Sequence, residues 1–244
     1  MSFPPSQLTP LTAPDLALTA ILIAALPVYL YVAHLQERRR ETEGRPRSRV
    51  ARYWGGIILL TSLGAATLAL WRLSERPPEE LGLVANSGLP FLAGMGLSAL
   101  ACVALAAQAV TVARSAAARR EVLQQLEALP GVEKITPRTS RELRLFAALS
   151  VTAGVMEEIA YRGFLIWALA HWMPAWAAAC VSLAAFTLAH LYQEAPGALV
   201  RVAGMGAVLT LLVLFSGSLI PAMLLHAAAD LSSGYMTWRA RQQA

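Results

Sequence analysis

The sequence predicts an all-α protein, a polytopic transmembrane helix bundle of about seven spans (six to eight). Of its 244 residues, 57% are hydrophobic and only 14% are charged, whereas soluble domains are about 25% charged. Apolar stretches long enough to cross a hydrocarbon core of about 30 Å recur along the chain. The net charge of +5 comes mainly from clusters between these stretches, so we expect a lipid bilayer as partner and no nucleic acid. The composition excludes a soluble globular enzyme and a disordered chain.

The apolar stretches define seven predicted spans. A spanning helix needs about 20 mostly apolar residues. We expect the first stretch to be a retained span and not a signal peptide, because Arg38, Arg39 and Arg40 follow it directly and no basic segment precedes it. The predicted spans are residues 15–35, 53–72, 89–113, 146–169, 173–193, 198–215 and 218–237.

The basic residues predict the orientation of the bundle. Segments 36–52 and 114–144 each carry seven basic residues, and the connection 72–88 carries two. Loops rich in lysine and arginine stay on the cytoplasmic side, which predicts an N-terminus outside and a C-terminus inside. With 20 basic residues of which only Lys134 is a lysine, the chain is typical of a GC-rich bacterium. We therefore expect an integral, multi-pass protein of the bacterial cytoplasmic (inner) membrane.

Three regions are predicted. Residues 1–113 form the three N-terminal transmembrane spans, and residues 114–144 form a cytoplasmic amphipathic linker. Within the linker, apolar residues recur at helical spacing until Pro130-Gly131 ends the pattern. Residues 145–244 carry the remaining four spans, and we expect them to be the functional core because the unusual polar residues lie there.

Six ionisable residues lie deep in the fourth, fifth and seventh predicted spans of this core. Burying such groups in a bilayer costs several kcal/mol, so they usually face a bundle interior or a cavity. Glu158 and Arg162 are four residues apart on one helix face and can form an ion pair. Glu157 lies about 100° around the helix from Glu158 and stays free to face a cavity. The six are Glu157, Glu158 and Arg162 in the fourth span, His190 in the fifth, and His226 and Asp230 in the seventh.

These residues form three motifs on successive helices. Residues 157–162 fit EExxxR, residues 186–190 fit FxxxH, and residues 226–230 fit HxxxN/D. In this order and placement they resemble the CAAX-protease and bacteriocin-processing family (CPBP) of glutamate-type intramembrane proteases. The resemblance covers roughly residues 140–237.

The resemblance implies a glutamate-dependent endopeptidase that uses neither a metal nor another cofactor. Glu157, aided by His190, would activate a water for attack on a peptide carbonyl. His226 and Asp230 would stabilise the tetrahedral oxyanion, since hydrogen-bond donors must meet the developing charge. The residues expected to give structural support are Glu158, Arg162 and Phe186.

Position 230 departs from the better-known members of this family. The prenyl-protein proteases have Asn where this chain has Asp230, although Asp is an accepted variant of the motif. An ionised aspartate accepts hydrogen bonds and cannot donate one to an oxyanion. Asp230 is therefore either protonated or orients His226 as an acceptor, and we expect the second role.

The substrate implied by the resemblance is a membrane-anchored protein or peptide. Cleavage near its C-terminus would serve bacterial protein sorting or maturation, as in the myxosortases or the CAAX proteases. The oligomeric state is left open by the sequence.

Three other classes of function remain open. A zinc-dependent intramembrane protease could use glutamate and two histidines as ligands, although no HExxH motif is present. A transporter is possible because intramembrane acids and histidines also mark ion pathways, although no inverted repeat is visible. The third is a non-catalytic membrane scaffold or immunity-type protein.

Overall fold

The computed structural model describes residues 8–193 and 195–242, and within these ranges all regular structure is helical. Two short helical segments, Pro130–Glu133 and Leu191–Gln193, lie between the longer helices. The longer helices are α1 (Ala13–Thr42), α2 (Arg49–Leu73), α3 (Leu89–Arg114), α4 (Ala116–Glu127), α5 (residues 140–169), α6 (Ala175–Leu188), α7 (Pro196–Ser216) and α8 (Ile220–Arg241). The all-α prediction is confirmed for the described residues.

Five helices within the described residues are long and apolar enough to cross a membrane, which makes the chain an integral multi-pass membrane protein. They are α1, α2, α3, α7 and the helix Ala175–Gln193, which contains α6. Large apolar side chains such as Ile58, Leu100 and Leu211 are exposed on their outer faces, as expected where helices face lipid. The fourth and seventh predicted spans correspond to α5 and α8, which carry the ionisable residues. The count of seven therefore stays a prediction.

The Arg-rich ends of α1 and α2 extend beyond the predicted apolar spans. α1 continues past residue 35 to Thr42, and α2 begins at Arg49, before residue 53. At the start of α2, the Ser48 side chain accepts a hydrogen bond from the backbone N–H of Ala51. Arg52 of α2 lies 2.8 Å from Glu37 and 3.2 Å from Glu41, both on α1. These cross-helix ion pairs give the charged extensions partners outside the apolar region.

α1 and α5 each change to π-helix within their length. In α1 the wide turn covers Ile21–Ala25, just before Pro27. It accommodates the proline, which lacks an N–H and crowds the preceding turn of an α-helix. In α5, Ser140–Glu157 is α-helical, Glu158–Leu165 is π-helical, and Ile166–Leu169 returns to α-helix. The change in α5 therefore falls between the two neighbouring glutamates.

α5 is the central helix of the bundle. Its π-helical segment is buried throughout, and the helix packs against α8 and α2, while α8 also contacts α3 and α4. A Cβ on Gly154 would lie 2.7 Å from the backbone nitrogen of Ala227 on α8, so a glycine permits the close approach. The N-terminus of α5 is held by a capping box between Thr139 and Glu142. Capping and glycine packing thus fix α5 against α8.

A buried ion pair lies at the end of the bundle opposite the Arg-rich loops. The Asp15 carboxylate accepts hydrogen bonds from both terminal nitrogens of Arg76, at 2.8 and 2.5 Å, and both side chains are at most 1% exposed. Asp15 also accepts from the backbone and hydroxyl of Thr12. The Arg76 guanidinium donates to the Pro10 carbonyl and lies 4.4 Å from the centre of the Trp167 ring. This pair, which the sequence analysis did not predict, joins α1 to the loop after α2.

The same end of the bundle fixes the last turn of α5. Glu80 accepts a hydrogen bond from the indole N–H of Trp167 at 3.1 Å and two from Thr9. His171 lies 3.0 Å from the Thr9 carbonyl and 3.1 Å from the Trp167 carbonyl through its two ring nitrogens. We call Asp15, Arg76, Glu80, Trp167 and His171 the Arg76 cluster. It connects the N-terminal segment, the 74–88 loop and α5.

Candidate active site

Glu158 lies at the centre of the polar site formed by α5, α6, α7 and α8. Its side chain is fully buried, and its Oε1 lies 3.1 Å from Nη1 of Arg162 and 2.8 Å from Nδ1 of His226. The ion pair predicted from the spacing of Glu158 and Arg162 is present. The same oxygen also holds a histidine from α8, so the EExxxR and HxxxN/D motifs are directly connected.

Arg162 is fixed on several sides. Its Nη2 donates to the Gly206 carbonyl at 3.2 Å, and its Nε donates to the Thr210 hydroxyl at 3.4 Å, both on α7. The guanidinium carbon lies 4.1 Å from the centre of the Phe186 ring, a cation–π arrangement. A planar fork of five donors can make all these contacts at once, which a lysine could not.

Phe186 connects the remaining aromatic groups of the site. Its ring centre lies 4.6 Å from that of His190 and 6.3 Å from that of His226, and Tyr161 packs edge-on at 5.4 Å. The side chain is only 4% exposed. The phenylalanine of FxxxH is thus in ring contact with both histidines of the site.

His190 lies in the turn that follows α6, with its Nδ1 2.8 Å from the Phe186 carbonyl oxygen. A carbonyl can only accept, so Nδ1 carries the proton and donates. In the neutral imidazole, Nε2 is then an acceptor. His190 can therefore accept a hydrogen bond from a water or a substrate at Nε2.

Glu157 and Asp230 face the outer nitrogen of His226. The Nε2 atom of His226 lies 3.9 Å from a Glu157 oxygen and 3.8 Å from an Asp230 oxygen. Both separations exceed hydrogen-bond length. The Glu157 side chain is 12% exposed and that of Asp230 is 42% exposed. The acceptor that contacts His226 within 3 Å is Glu158, in the position expected for Asp230.

Two buried polar atoms of the site have no hydrogen-bond partner among the described residues. They are the Tyr161 hydroxyl and the Oε2 atom of Glu158. Buried polar groups are normally satisfied by protein or ordered water, so the site is suited to hold water or a polar ligand. Tyr161 was missed by the sequence analysis, although its place inside EExxxR is a signal that could have found it. The described residues contain no group of three His, Cys, Asp or Glu side chains arranged to hold a metal ion.

Comparison with known proteins supports the resemblance seen in the motifs. A family model described as type II CAAX prenyl endopeptidase Rce1-like matches residues 139–232. This range contains all seven residues named from the three motifs. A search of curated proteins found no significant match, and a search of solved structures found none.

Proposed function

We propose that Glu157 is the general base of a glutamate-type intramembrane protease. The basis is the match of residues 139–232 to the Rce1-like type II CAAX prenyl endopeptidase family. We further propose that the substrate is a membrane-anchored protein or peptide cut near its C-terminus. The observation that carries the assignment is the different environment of the two adjacent glutamates. Glu158 is fully buried and bonded to Arg162, whereas Glu157 is partly exposed and faces His226.

In the proposed reaction, Glu157 removes a proton from a water molecule whose other hydrogen is accepted by Nε2 of His190. The water oxygen attacks the peptide carbonyl carbon, and the carbonyl oxygen becomes an oxyanion. Glu157 then gives the proton to the amide nitrogen, and the C–N bond breaks. The products are a carboxylic acid, which keeps the second proton of the water, and an amine. General acid–base catalysis of this kind contributes typically about 10²–10⁴-fold to the rate.

His226 supplies the proposed oxyanion contact. Its Nδ1–H donates to Glu158, so Nε2 can donate only when the ring is doubly protonated. Three carboxylates, those of Glu157, Glu158 and Asp230, lie within 4 Å of this ring. They supply the negative charge that an imidazolium needs in a buried site. Asp230 would then act as a charge partner at the more exposed side of His226.

The first experiment is a comparison of C-termini in a strain lacking the gene and complemented with wild type, Glu157→Gln or Glu121→Gln. Membrane and surface proteins are analysed by mass spectrometry. Glu121 lies on the exposed surface of α4 and accepts a hydrogen bond from Gln125 at 3.3 Å, so its variant is a matched acid-to-amide control. We expect tails to stay uncleaved in the deletion and in Glu157→Gln alone.

If Glu157→Gln restores cleavage as wild type does, Glu157 is not the general base, and the non-catalytic scaffold interpretation is favoured instead. Loss of cleavage after treatment of the purified wild-type enzyme with a chelator, reversed by zinc, would replace the metal-free mechanism with the zinc alternative. If the protein is a transporter, no protein C-terminus should differ between the wild-type and Glu157→Gln strains.

A further inference from the structure

The proposed reaction makes no use of the Tyr161 hydroxyl, a polar group buried at the site. The side chain is 2% exposed, and its hydroxyl is closed to solvent and makes no hydrogen bond among the described residues. Buried polar groups are normally paired, because an unpaired one has lost its bonds to water without replacement. An atom closed to solvent is also closed to a ligand that arrives from outside. The partner of this hydroxyl must therefore be a group already inside the site.

The Tyr161 ring is held in place from several sides. It packs edge-on against Phe186, with the ring centres 5.4 Å apart and the planes at 82°. Its backbone carbonyl accepts a hydrogen bond from the Ser182 hydroxyl on α6 at 2.7 Å. The residue also lies within the π-helical segment Glu158–Leu165, which is buried throughout. Because the ring and the backbone are both fixed, the partner has to come to the hydroxyl.

Glu157 lies about one helical turn before Tyr161 on α5. Residues four apart are neighbours on one face of a helix, and large side chains in helices lean back over the preceding turn. A tyrosine at position 161 therefore leans over the turn that carries Glu157. In agreement with this direction, the charge of Glu157 acts on the Tyr161 hydroxyl. Glu157 is thus an acid within reach of the unpaired donor.

Glu157 also has the right chemistry and freedom to be the partner. Arg162 acts on the same hydroxyl, but a guanidinium only donates, and its three nitrogens already donate to acceptors on α5 and α7. The Glu157 carboxylate accepts hydrogen bonds, and it lies 3.9 Å from His226, beyond hydrogen-bond length. No hydrogen bond to His226 therefore prevents the Glu157 side chain from turning towards Tyr161.

From the unpaired hydroxyl, the fixed ring and the shared helix face, we propose that Tyr161 is a positioning residue that donates a hydrogen bond to the Glu157 carboxylate. Glu157 then has two positions, one bonded to Tyr161 in the resting enzyme and one facing His226, as in the structure. A hydrogen bond to a carboxylate favours its ionised form, the form that a general base needs. The inference rests on the proposed function for the role of Glu157, but the bond can be tested without cleavage.

The reagent dicyclohexylcarbodiimide permits a direct test, because it enters a bilayer and adds to carboxyl groups in their protonated form. Full-length wild-type and Tyr161→Phe proteins in nanodiscs are treated with the reagent over a range of pH. The labelled residue is identified by peptide fragmentation in a mass spectrometer, which distinguishes Glu157 from its neighbour Glu158. Glu157→Gln protein shows which signal belongs to Glu157.

We expect labelling of Glu157 to fall with rising pH in the wild type, because its carboxyl group ionises. Tyr161→Phe keeps the ring and its contact with Phe186 but removes the donor, so the labelling midpoint should move to higher pH. A hydrogen bond to a charged group corresponds to a shift of about 1–2 pH units. Replacing Tyr161 with 3-fluorotyrosine, whose hydroxyl is a stronger donor, should move the midpoint to lower pH, which a merely misfolded variant could not show.

Tyr53→Phe is the matched control. Tyr53 is 1% exposed and also packs edge-on against a phenylalanine, with its ring centre 5.8 Å from that of Phe146. Its hydroxyl, however, already donates to the Ile135 carbonyl at 2.8 Å. The control should therefore leave the labelling midpoint of Glu157 unchanged.

Three results would overturn the proposal. The first is an unchanged midpoint in Tyr161→Phe, which is expected if a structural water is the partner of the hydroxyl. The second is an equal shift in Tyr53→Phe, and the third is no labelling of Glu157 in any variant, because the hydroxyl would then not govern the carboxyl group. None of these results depends on cleavage, whereas failure of the proposed protease would appear as unchanged C-termini in the Glu157→Gln strain.

Discussion

Replacing Asp15 with Asn tests whether the buried ion pair with Arg76 holds the N-terminal helix to the bundle. The substitution keeps the shape of the side chain but leaves the Arg76 guanidinium, whose side chain is 1% exposed, without its counter-charge. Removing one partner of a buried ion pair costs about 3–5 kcal/mol. Arg76 keeps its bond to Pro10 and its contact with Trp167, so we expect the lower end of this range.

The assay is thermal unfolding of the purified protein in detergent. A loss of about 3 kcal/mol corresponds to a midpoint lowered by about 6–12 °C in a chain of this size. Glu43→Gln is the matched control, because Glu43 pairs with Arg39 on a surface where the two side chains are 49% and 83% exposed. An exposed helical pair of this kind contributes only about 0.3–0.5 kcal/mol.

A double-mutant cycle separates the pair from its surroundings. Arg76→Gln alone should be strongly destabilising, and the double variant with Asp15→Asn should lose less than the two single losses together. If Asp15→Asn lowers the midpoint no more than Glu43→Gln, the ion pair is not the contact that holds α1.

Three further changes test other contacts of the fold. Gly154→Ala would place a Cβ 2.7 Å from a backbone nitrogen of α8, so it should lower both the unfolding midpoint and the rate of proteolysis by the enzyme. Gly96→Ala is the control, because a Cβ there meets nothing within 4 Å, and it should change neither quantity. Thr139→Ala removes the capping box of α5 and should cost about 1 kcal/mol in urea unfolding; an unchanged free energy would contradict the cap. Burial raises the pKa of Glu133, but Arg138 and its basic neighbours outweigh burial and hold the pKa below 4.5. The stabilisation by Glu133 is therefore present above about pH 4.5 and lost as the pH falls through the lower folded-state pKa, and Glu133→Gln should flatten this part of the stability–pH curve.

The helices were predictable because each apolar stretch is long and bounded by charged or turn residues. Their ends were less predictable, because charged residues extend both helices: α1 continues to Thr42, and α2 already begins at Arg49. The stabilising contacts of those extensions are ion pairs between residues such as Glu37 and Arg52. Such pairs join different helices, so the hydropathy pattern along one helix does not predict them.

The site was predictable to the extent that its contacts are local. Spacing of four residues gave the ion pair of Glu158 and Arg162, which the structure contains. The hydrogen bond from His226 to Glu158 joins residues 68 positions apart, and helical periodicity does not indicate which glutamate a distant histidine contacts. The same limit applies to Asp15 and Arg76, which are 61 positions apart.

The Arg76 cluster gives α5 a mechanical role. Trp167 and His171 fasten one end of this helix through Glu80 and Thr9, and the cap at Thr139 begins the other. Because α5 is held at both ends, we expect it to move less than the helices around it when a peptide enters. Spectroscopic distance labels are therefore best referenced to α5, with the second label on the turn after α6, whose displacement during a catalytic cycle would be measured against α5.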